Sequence, residues 1–382
     1  MSDSWTRCSF GQVAHKRTES WTPGESESVY IGLEHIAPYA LRLLGTGLSD
    51  EVTSNKTKFR ERDTLYGKLR PYFQKVVRPN FSGICSTDIW AIYPADGSQI
   101  DPGFLHWVVA DPAFSDFANS AETGTRMPRA SWQWVSTYEL ALPPIAEQRQ
   151  IANVLDTLSE RIELGVRIRQ LLAEAAQVII ETSSHFCSIS DLALTERVQW
   201  YPSKNRGQVV DHYSLPAFDN GMVPERVEAT AIASNKLRVA EPRVLFSRLN
   251  PDTNRTWLCI PSAEVSTSVC STEYAVLKPQ NTSVELLWAA LSSGDVGFQL
   301  AAASTGTSAS HQRVNEEAVL AAVVPDPRGL DSATQSLVTE CVFAYAERGG
   351  ELQRLRETRD FLLPRLVSGE LRVAAAEESF AS

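Results

Sequence analysis

The sequence predicts an α+β protein: two globular units, each mixing strands and helices, separated by two long helices that form an antiparallel coiled coil. Three observations carry this. Short blocks recur in the same order at nearly constant offset, a helical apolar stripe follows each copy, and proline punctuates the start of each stripe. Ser54-Asn55-Lys56 returns as Ser234-Asn235-Lys236, and Thr64–Pro71 returns as Val244–Pro251, both at an offset of 180. Cys85-Ser86-Thr87-Asp88 returns as Cys270-Ser271-Thr272-Glu273 at 185. Thr123-Gly124-Thr125 returns as Thr305-Gly306-Thr307, and Leu142-Pro143 as Val324-Pro325, both at 182. Ordered recurrence of this kind marks an internal repeat.

Taken in chain order, the plan is a globular unit over 1–144, a central long helix over 145–185, a second unit over 186–327, a C-terminal long helix over 328–372 and a flexible tail over 373–382. Leu65–Tyr72, Cys85–Tyr93 and Val269–Leu277 read as strands, being apolar, β-branched or aromatic and bounded by Pro, Gly or Ser. The central helix is expected to start near Ala146, after Pro143-Pro144, with Glu147 in its first turn at the positive end of the helix dipole. Its stripe runs through Ile151, Leu155, Leu158, Ile162, Val166, Leu172, Ala175 and Ile179. The second stripe alternates steps of three and four through Val338, Cys341, Tyr345, Arg348, Leu352, Leu355, Arg359, Leu362 and Leu366, the spacing of a coiled-coil seam. Gly349-Gly350 costs about 1 kcal/mol per glycine relative to Ala and predicts a break there. Such a helix spans roughly 55–60 Å at about 1.5 Å per residue. Antiparallel pairing would relate the repeats by a pseudo-two-fold axis, the symmetry with which many proteins read two half-sites on duplex DNA.

Composition bounds the rest. The 382 residues hold 36 Lys+Arg and 46 Asp+Glu for a net charge of −10, with 43% hydrophobic residues, enough for substantial cores and against general disorder. The longest unbroken apolar stretches, Leu286–Leu291 and Val319–Val324, are far shorter than the roughly 20 residues of a membrane span. The N-terminus lacks the apolar core of a signal peptide, so a cytoplasmic location is expected. Six cysteines without a C-x-x-C pair read as free, mostly buried thiols.

Local charge runs against the acidic total. Asn55–Asn80 holds eight basic residues and two acids, and Arg197–Arg255 holds nine and six, with aromatics interleaved in both. Basic side chains anchor phosphates, and Arg, Lys, Asn and Gln reach base edges. The candidate DNA-binding residues are therefore Lys56, Lys68, Arg70 and Lys75 in the first copy and Lys236, Arg248, Asn250 and Arg255 in the second. The Thr-Gly-Thr turns and the residues just after them add Thr125, Arg126 and Arg129, then Thr307, Ser308, His311 and Arg313. The competing assignment makes the basic runs solvated faces and the aromatics core, leaving a non-catalytic two-lobed protein scaffold without DNA binding.

Leu65-Tyr-Gly-Lys-Leu-Arg-Pro-Tyr72 with Gly83-Ile-Cys-Ser-Thr87 resembles the target-recognition domains of type I restriction-modification specificity subunits, the HsdS family. Leu142-Pro-Pro-Ile-Ala-Glu-Gln-Arg149 and the run Arg356–Glu370, with its Leu-Leu-Pro-Arg-Leu-Val-Ser-Gly-Glu ending, are similar to the family's helix motifs. The likeness covers about Trp5 to Val373. The second copy departs from it, having only Thr334-Gln335 where Glu-Gln-Arg would stand. The resemblance implies a non-catalytic, phage-defence subunit that reads a bipartite duplex site. It also implies two docked modification subunits that methylate adenine, with restriction subunits as optional further partners and no membrane. Glu147, Gln148, Arg149, Arg359 and Arg365 would be partner-binding. S-adenosylmethionine and ATP would sit on the partners, so this chain would carry no cofactor and no metal. Consistent with that, the sequence has no Asn/Asp-Pro-Pro-Tyr/Phe methylation motif, no phosphate-binding G-x-x-x-x-G-K-[ST] loop, and no catalytic or metal-ligating cluster.

Overall fold

The structure, a computed structural model, describes residues 5–120, 127–219, 221–261, 265, 267–293, 295–302 and 312–373. The chain divides into two compact units: residues to Glu163 together with those from Leu355, and Leu164–Arg354.

Among the described residues the first unit contains three sheets. Thr6–Ser9 pairs with Glu139–Leu142. A four-stranded antiparallel sheet runs Ala14–Lys16, Ile89–Pro94, Thr64–Gly67, Val76–Val77. A five-stranded sheet runs Ser20–Trp21, Lys56–Phe59, Gly83–Cys85, Val29–Ile31, Gly47–Leu48, with one parallel pair between Val29–Ile31 and Gly83–Cys85. Helix Pro102–Ala110, capped by the Asp101 carboxylate on the amides of Gly103 and Phe104, buries Phe104, Leu105, Trp107 and Val108 in the main core.

The second unit repeats every one of these pairings. Its sheets are Phe186–Ser188 with Val323–Pro325; Ala193–Thr195, Tyr274–Pro279, Arg243–Ser247, Thr256–Cys259; and Gln199–Trp200, Lys236–Val239, Ser268–Cys270, Val209–Tyr213, Glu225–Glu228. Again the only parallel pair found among the described residues of the five-stranded sheet joins its third and fourth members. Helix Val284–Ser292, capped by Ser283, stands where Pro102–Ala110 stands in the first unit.

Two expectations about these strands need correction. Cys85–Tyr93 and Val269–Leu277 are not single strands; each splits between the two larger sheets. The Ser86 hydroxyl accepts from the Asp88 amide and its carbonyl from Ile89, and Ser271 does the same for Glu273 and Tyr274. These side-chain-capped turns redirect the chain from one sheet to the other. The Leu142/Val324 match is also displaced by two. Ser9 and Ser188 cap equivalent one-turn helices and face Glu139 and Val323, so Val324 stands where Leu140 does.

The two long helices are Ile145–Ile180 and Ser332–Ser368. Each contributes one half to each unit, and within a unit the halves share a core. Ile151, Ala152 and Leu155 join Leu362, Leu363 and Leu366 in the first, and Ala176 and Ile180 join Val338, Val342 and Tyr345 in the second. In the second unit Gly165 meets Leu352 while Arg169 meets Tyr345 and Gly349, so the two run antiparallel. The expected break at Gly349-Gly350 is absent, and the helix passes through unbroken. Gly349 gives room to Arg169, whose Cζ lies 3.5 Å from where a Cβ would be. Packing of the seam outweighs the propensity penalty. The six cysteines are free thiols; Cys85, Cys259 and Cys270 are buried and the other three half-buried. No described helix is long and apolar enough to cross a membrane.

Candidate nucleic-acid interface

The basic stretches place one recurrent feature in each unit. At the end of strand Thr64–Gly67 the chain bends through Lys68, Leu69 and Arg70 before the turn Pro71–Phe73. The Lys68 amide donates to the Asp88 carbonyl at 2.9 Å, the Lys68 carbonyl accepts from Ala130 at 2.8 Å, and the Arg70 amide donates to the Pro128 carbonyl at 2.8 Å. Leu69 bridges to Arg129, and the Arg129 guanidinium returns to the Asp88 carboxylate at 3.2 Å. In the second unit the Arg248 amide donates to Glu273, Val314 to the Arg248 carbonyl and Asn250 to Gln312, at 2.9–3.0 Å. Leu249 bridges to Arg313, and Arg313 pairs with Glu273 at 2.5 Å. Arg70 and Asn250 occupy equivalent points and both are left-handed, with φ of 52° and 48°. That region suits Asn and strains a long side chain such as Arg.

The bends are underused electrostatically. Lys68 and Arg70 are half-buried and have no carboxylate partner among the described residues. Arg70 Nε, Arg248 Nε and Asn250 Oδ1 are shielded from solvent without a hydrogen-bond partner among the described residues, an unfavourable state that a side-chain rotation toward a ligand would relieve. Arg248 donates its other arm to the Thr272 carbonyl at 2.7 Å.

Other candidates are occupied inside the fold. Lys56 and Lys236, each 8% exposed, donate Nζ to the carbonyl and hydroxyl of Ser54 and Ser234 at 3.0 and 2.7 Å. Lys75 donates to the Leu33 carbonyl at 2.6 Å, and burial pulls the Lys75 and Lys236 ammonium groups below the ordinary lysine range. All three lysines are bonded to loop carbonyls within the chain. Arg255 is bidentate to Asp219 at 2.7 and 3.1 Å. Most of the interleaved aromatics, among them Phe59, Tyr66, Trp200, Tyr213, Phe246 and Trp257, are core rather than stacking platforms; Tyr72 and Tyr201 are exposed. Thr125, Arg126, Thr307, Ser308 and His311 lie outside the described residues.

The residues expected to face partners are divided. Gln148 is fully buried: its carbonyl accepts from the Asp101 amide at 2.8 Å, and its amide donates to the Gln99 and Pro143 carbonyls at 3.0 and 2.8 Å. Glu147 accepts from the Trp5 indole at 3.1 Å and pairs with Arg372, fastening both ends of the described chain to the central helix. Arg359 is buried, with its guanidinium on Asp360 at 2.8 Å. Glu147, Gln148 and Arg359 are thus all bonded within the chain. Arg149 is 64% exposed at its side chain and 3.6 Å from Asp101, and Arg365 lies 3.8 Å over the Phe361 ring. The missing Glu-Gln-Arg of the second copy is reduced to its glutamine. Gln335 donates to the carbonyl five residues back, Leu330, as Gln148 does to Pro143. Asp331 starts that helix by accepting from the Thr334 amide at 2.9 Å, which holds its carboxyl below the usual range.

Asp88 and Glu273, the acids that pin Arg129 and Arg313, were missed as site residues. Their signal was present in the sequence, since each ends a recurrent Cys-Ser-Thr-acid block. Among the described residues no group of three or more His, Cys, Asp or Glu could hold a metal ion.

Each unit thus repeats one α+β plan and one basic bend, and the two long helices contribute to both units. No family model matches the chain. Over 160 residues it is 31% identical to the type I restriction enzyme EcoDI specificity subunit of Escherichia coli, a match covering 41% of this chain and 35% of that one. The match thus spans about a third of the curated relative. The fold matches the S subunit of the type I restriction-modification system of M. genitalium with a TM-score of 0.56 at 14% identity, over 96% of this chain and 97% of that one. The HsdS subunit of Thermoanaerobacter tengcongensis aligns over 97% and 98% with a TM-score of 0.41 and 16% identity. Over the matched stretch the chain is thus similar in sequence to a type I specificity subunit, and its fold is similar to that of a solved type I S subunit.

Proposed function

We propose that this chain is the sequence-reading subunit of a type I restriction-modification assembly. Each compact unit takes one half of a bipartite duplex site, and adenine methyltransferase subunits, joined in some assemblies by restriction subunits, act on the DNA it holds. The chain itself carries no catalytic group in this reading; S-adenosylmethionine and ATP belong to the partners. The observation that supports it best is the bend. The same backbone bonds and the same acid–arginine pair frame Lys68–Arg70 and Arg248–Asn250, while the side chains they present differ. A shared frame with unlike side chains is what reading two unlike half-sites requires.

Lys68 is the phosphate-facing cation of the first unit, a compact charge without a carboxylate partner among the described residues. The test is duplex binding by the full-length chain across a salt series. Phosphate contact makes the logarithm of affinity fall linearly with the logarithm of salt concentration, by about 0.9 per phosphate neutralised. A protein scaffold without DNA binding would show no saturable duplex binding at any salt.

A further inference from the structure

We infer that Arg70 and Asn250 are equivalent specificity-determining residues, Arg70 reading a guanine in one half-site and Asn250 an adenine in the other. This inference rests on the DNA-reading function proposed above.

Three independent observations converge on the two positions. They are structurally equivalent: each is the last residue of the bend, precedes a proline, and donates its amide to the residue before the framing arginine, Arg129 or Arg313. Each adopts the left-handed conformation without being glycine. For Arg that conformation is costly, and strained backbone is retained where a side chain must be aimed. Around them sit three shielded polar atoms without partners among the described residues, Arg70 Nε, Arg248 Nε and Asn250 Oδ1, which rotation of the side chain toward a base would satisfy.

The chemistry separates the two. Arg is donor-only, with a planar fork that matches the paired acceptors O6 and N7 of guanine. Asn has one acceptor and two donors and matches the donor–acceptor pair N6 and N7 of adenine. Two residues earlier stand Lys68, a compact charge, and Arg248, whose guanidinium is already engaged by the Thr272 carbonyl, so these two set position rather than sequence. The ion pairs Asp88–Arg129 and Glu273–Arg313 neutralise the framing arginines and leave the bend residue as the variable element.

The experiment is selection of bound duplexes from a randomised library by the full-length chain, followed by sequencing. The parent protein should enrich a motif containing one guanine and one adenine whose preference is about 5- to 150-fold, the discrimination of a good bidentate contact. Arg70→Asn should alter one base pair in one half and leave the other half unchanged; Asn250→Arg should do the reciprocal. Arg70→Gly and Asn250→Gly suit the left-handed backbone and keep the bend folded, and each should flatten preference at a single base pair to within about 2-fold. A motif unchanged in all four variants, or weakened uniformly, would assign both residues to phosphate or to structure and overturn the inference. If the parent enriches no duplex at all, the DNA-reading function itself fails, and the inference with it.

Discussion

The guanidinium of Arg169 lies 4.2 Å from the ring centroid of Tyr345, in space left open by Gly349. Arg169 is buried and donates to the Gly221 carbonyl at 3.3 Å, so a cation inside the helix seam rests on an aromatic face and a backbone oxygen, its Nε left without a partner among the described residues. The two glycines of this seam then behave differently. A Cβ at Gly349 would stand 3.5 Å from Arg169, ordinary contact, whereas one at Gly165 would stand 2.7 Å from Leu352 Cδ2. Gly349→Ala should raise stability by up to about 1 kcal/mol through helix propensity. Gly165→Ala should lose up to about 2 kcal/mol, because overpacking of roughly 1–3 kcal/mol offsets or exceeds the same propensity gain of about 1 kcal/mol. Urea unfolding of the two variants checks both signs.

Gln148 makes three hydrogen bonds in full burial where Gln335, its counterpart, makes one to Leu330. Gln148→Ala leaves the Asp101 amide and two carbonyls without their partner and should cost about 2–4 kcal/mol. Gln335→Ala should cost about 1 kcal/mol. Equal losses in thermal or urea unfolding would show that the extra bonds contribute nothing.

Lys56 and Lys68 stand twelve positions apart in one basic run and should respond oppositely. Lys56→Met removes the bonds to Ser54 and should lower stability by about 1–3 kcal/mol without changing the salt dependence of duplex binding. Lys68→Ala should leave unfolding nearly unchanged and reduce the slope of log affinity against log salt by about 0.9.

His106 is buried in the first unit beside Arg78 and Arg359, with Thr64 at 3.4 Å, and burial holds its pKa well below the usual histidine value. A histidine depressed in the folded state costs nothing above its unfolded pKa of about 6.5. Below that pH the unfolded chain takes up a proton the folded chain refuses, so stability is lost as pH falls. The second unit has Trp288 at the equivalent helix position, which does not titrate. Thermal unfolding between pH 7.5 and 5.5 should therefore drop less in His106→Phe than in the parent.

Periodicity and recurrence carried most of the architecture. The seam residues Val338, Tyr345, Leu352, Arg359, Leu362 and Leu366 are buried as their three–four spacing required. Recurrence alone does not separate function from structure: in both copies the lysine of the Ser-Asn-Lys block bonds its own loop. Gly349-Gly350 misled, since local propensity is outweighed when a neighbouring side chain needs the room. The left-handed bend at Arg70 left no trace in residue type, because its cause is tertiary bonding to Asp88 and Pro128, far along the chain. The Leu142/Val324 match followed residue likeness, where strand pairing with Cys8 and Cys187 sets the true equivalence.

Hydroxyl-radical footprinting of the full-length chain on a duplex recovered from the library bears most directly on whether duplicated units grip DNA together. Two short protected patches, flanking a stretch cut as freely as naked DNA, are the predicted outcome. A single continuous patch, or no protection, would contradict it.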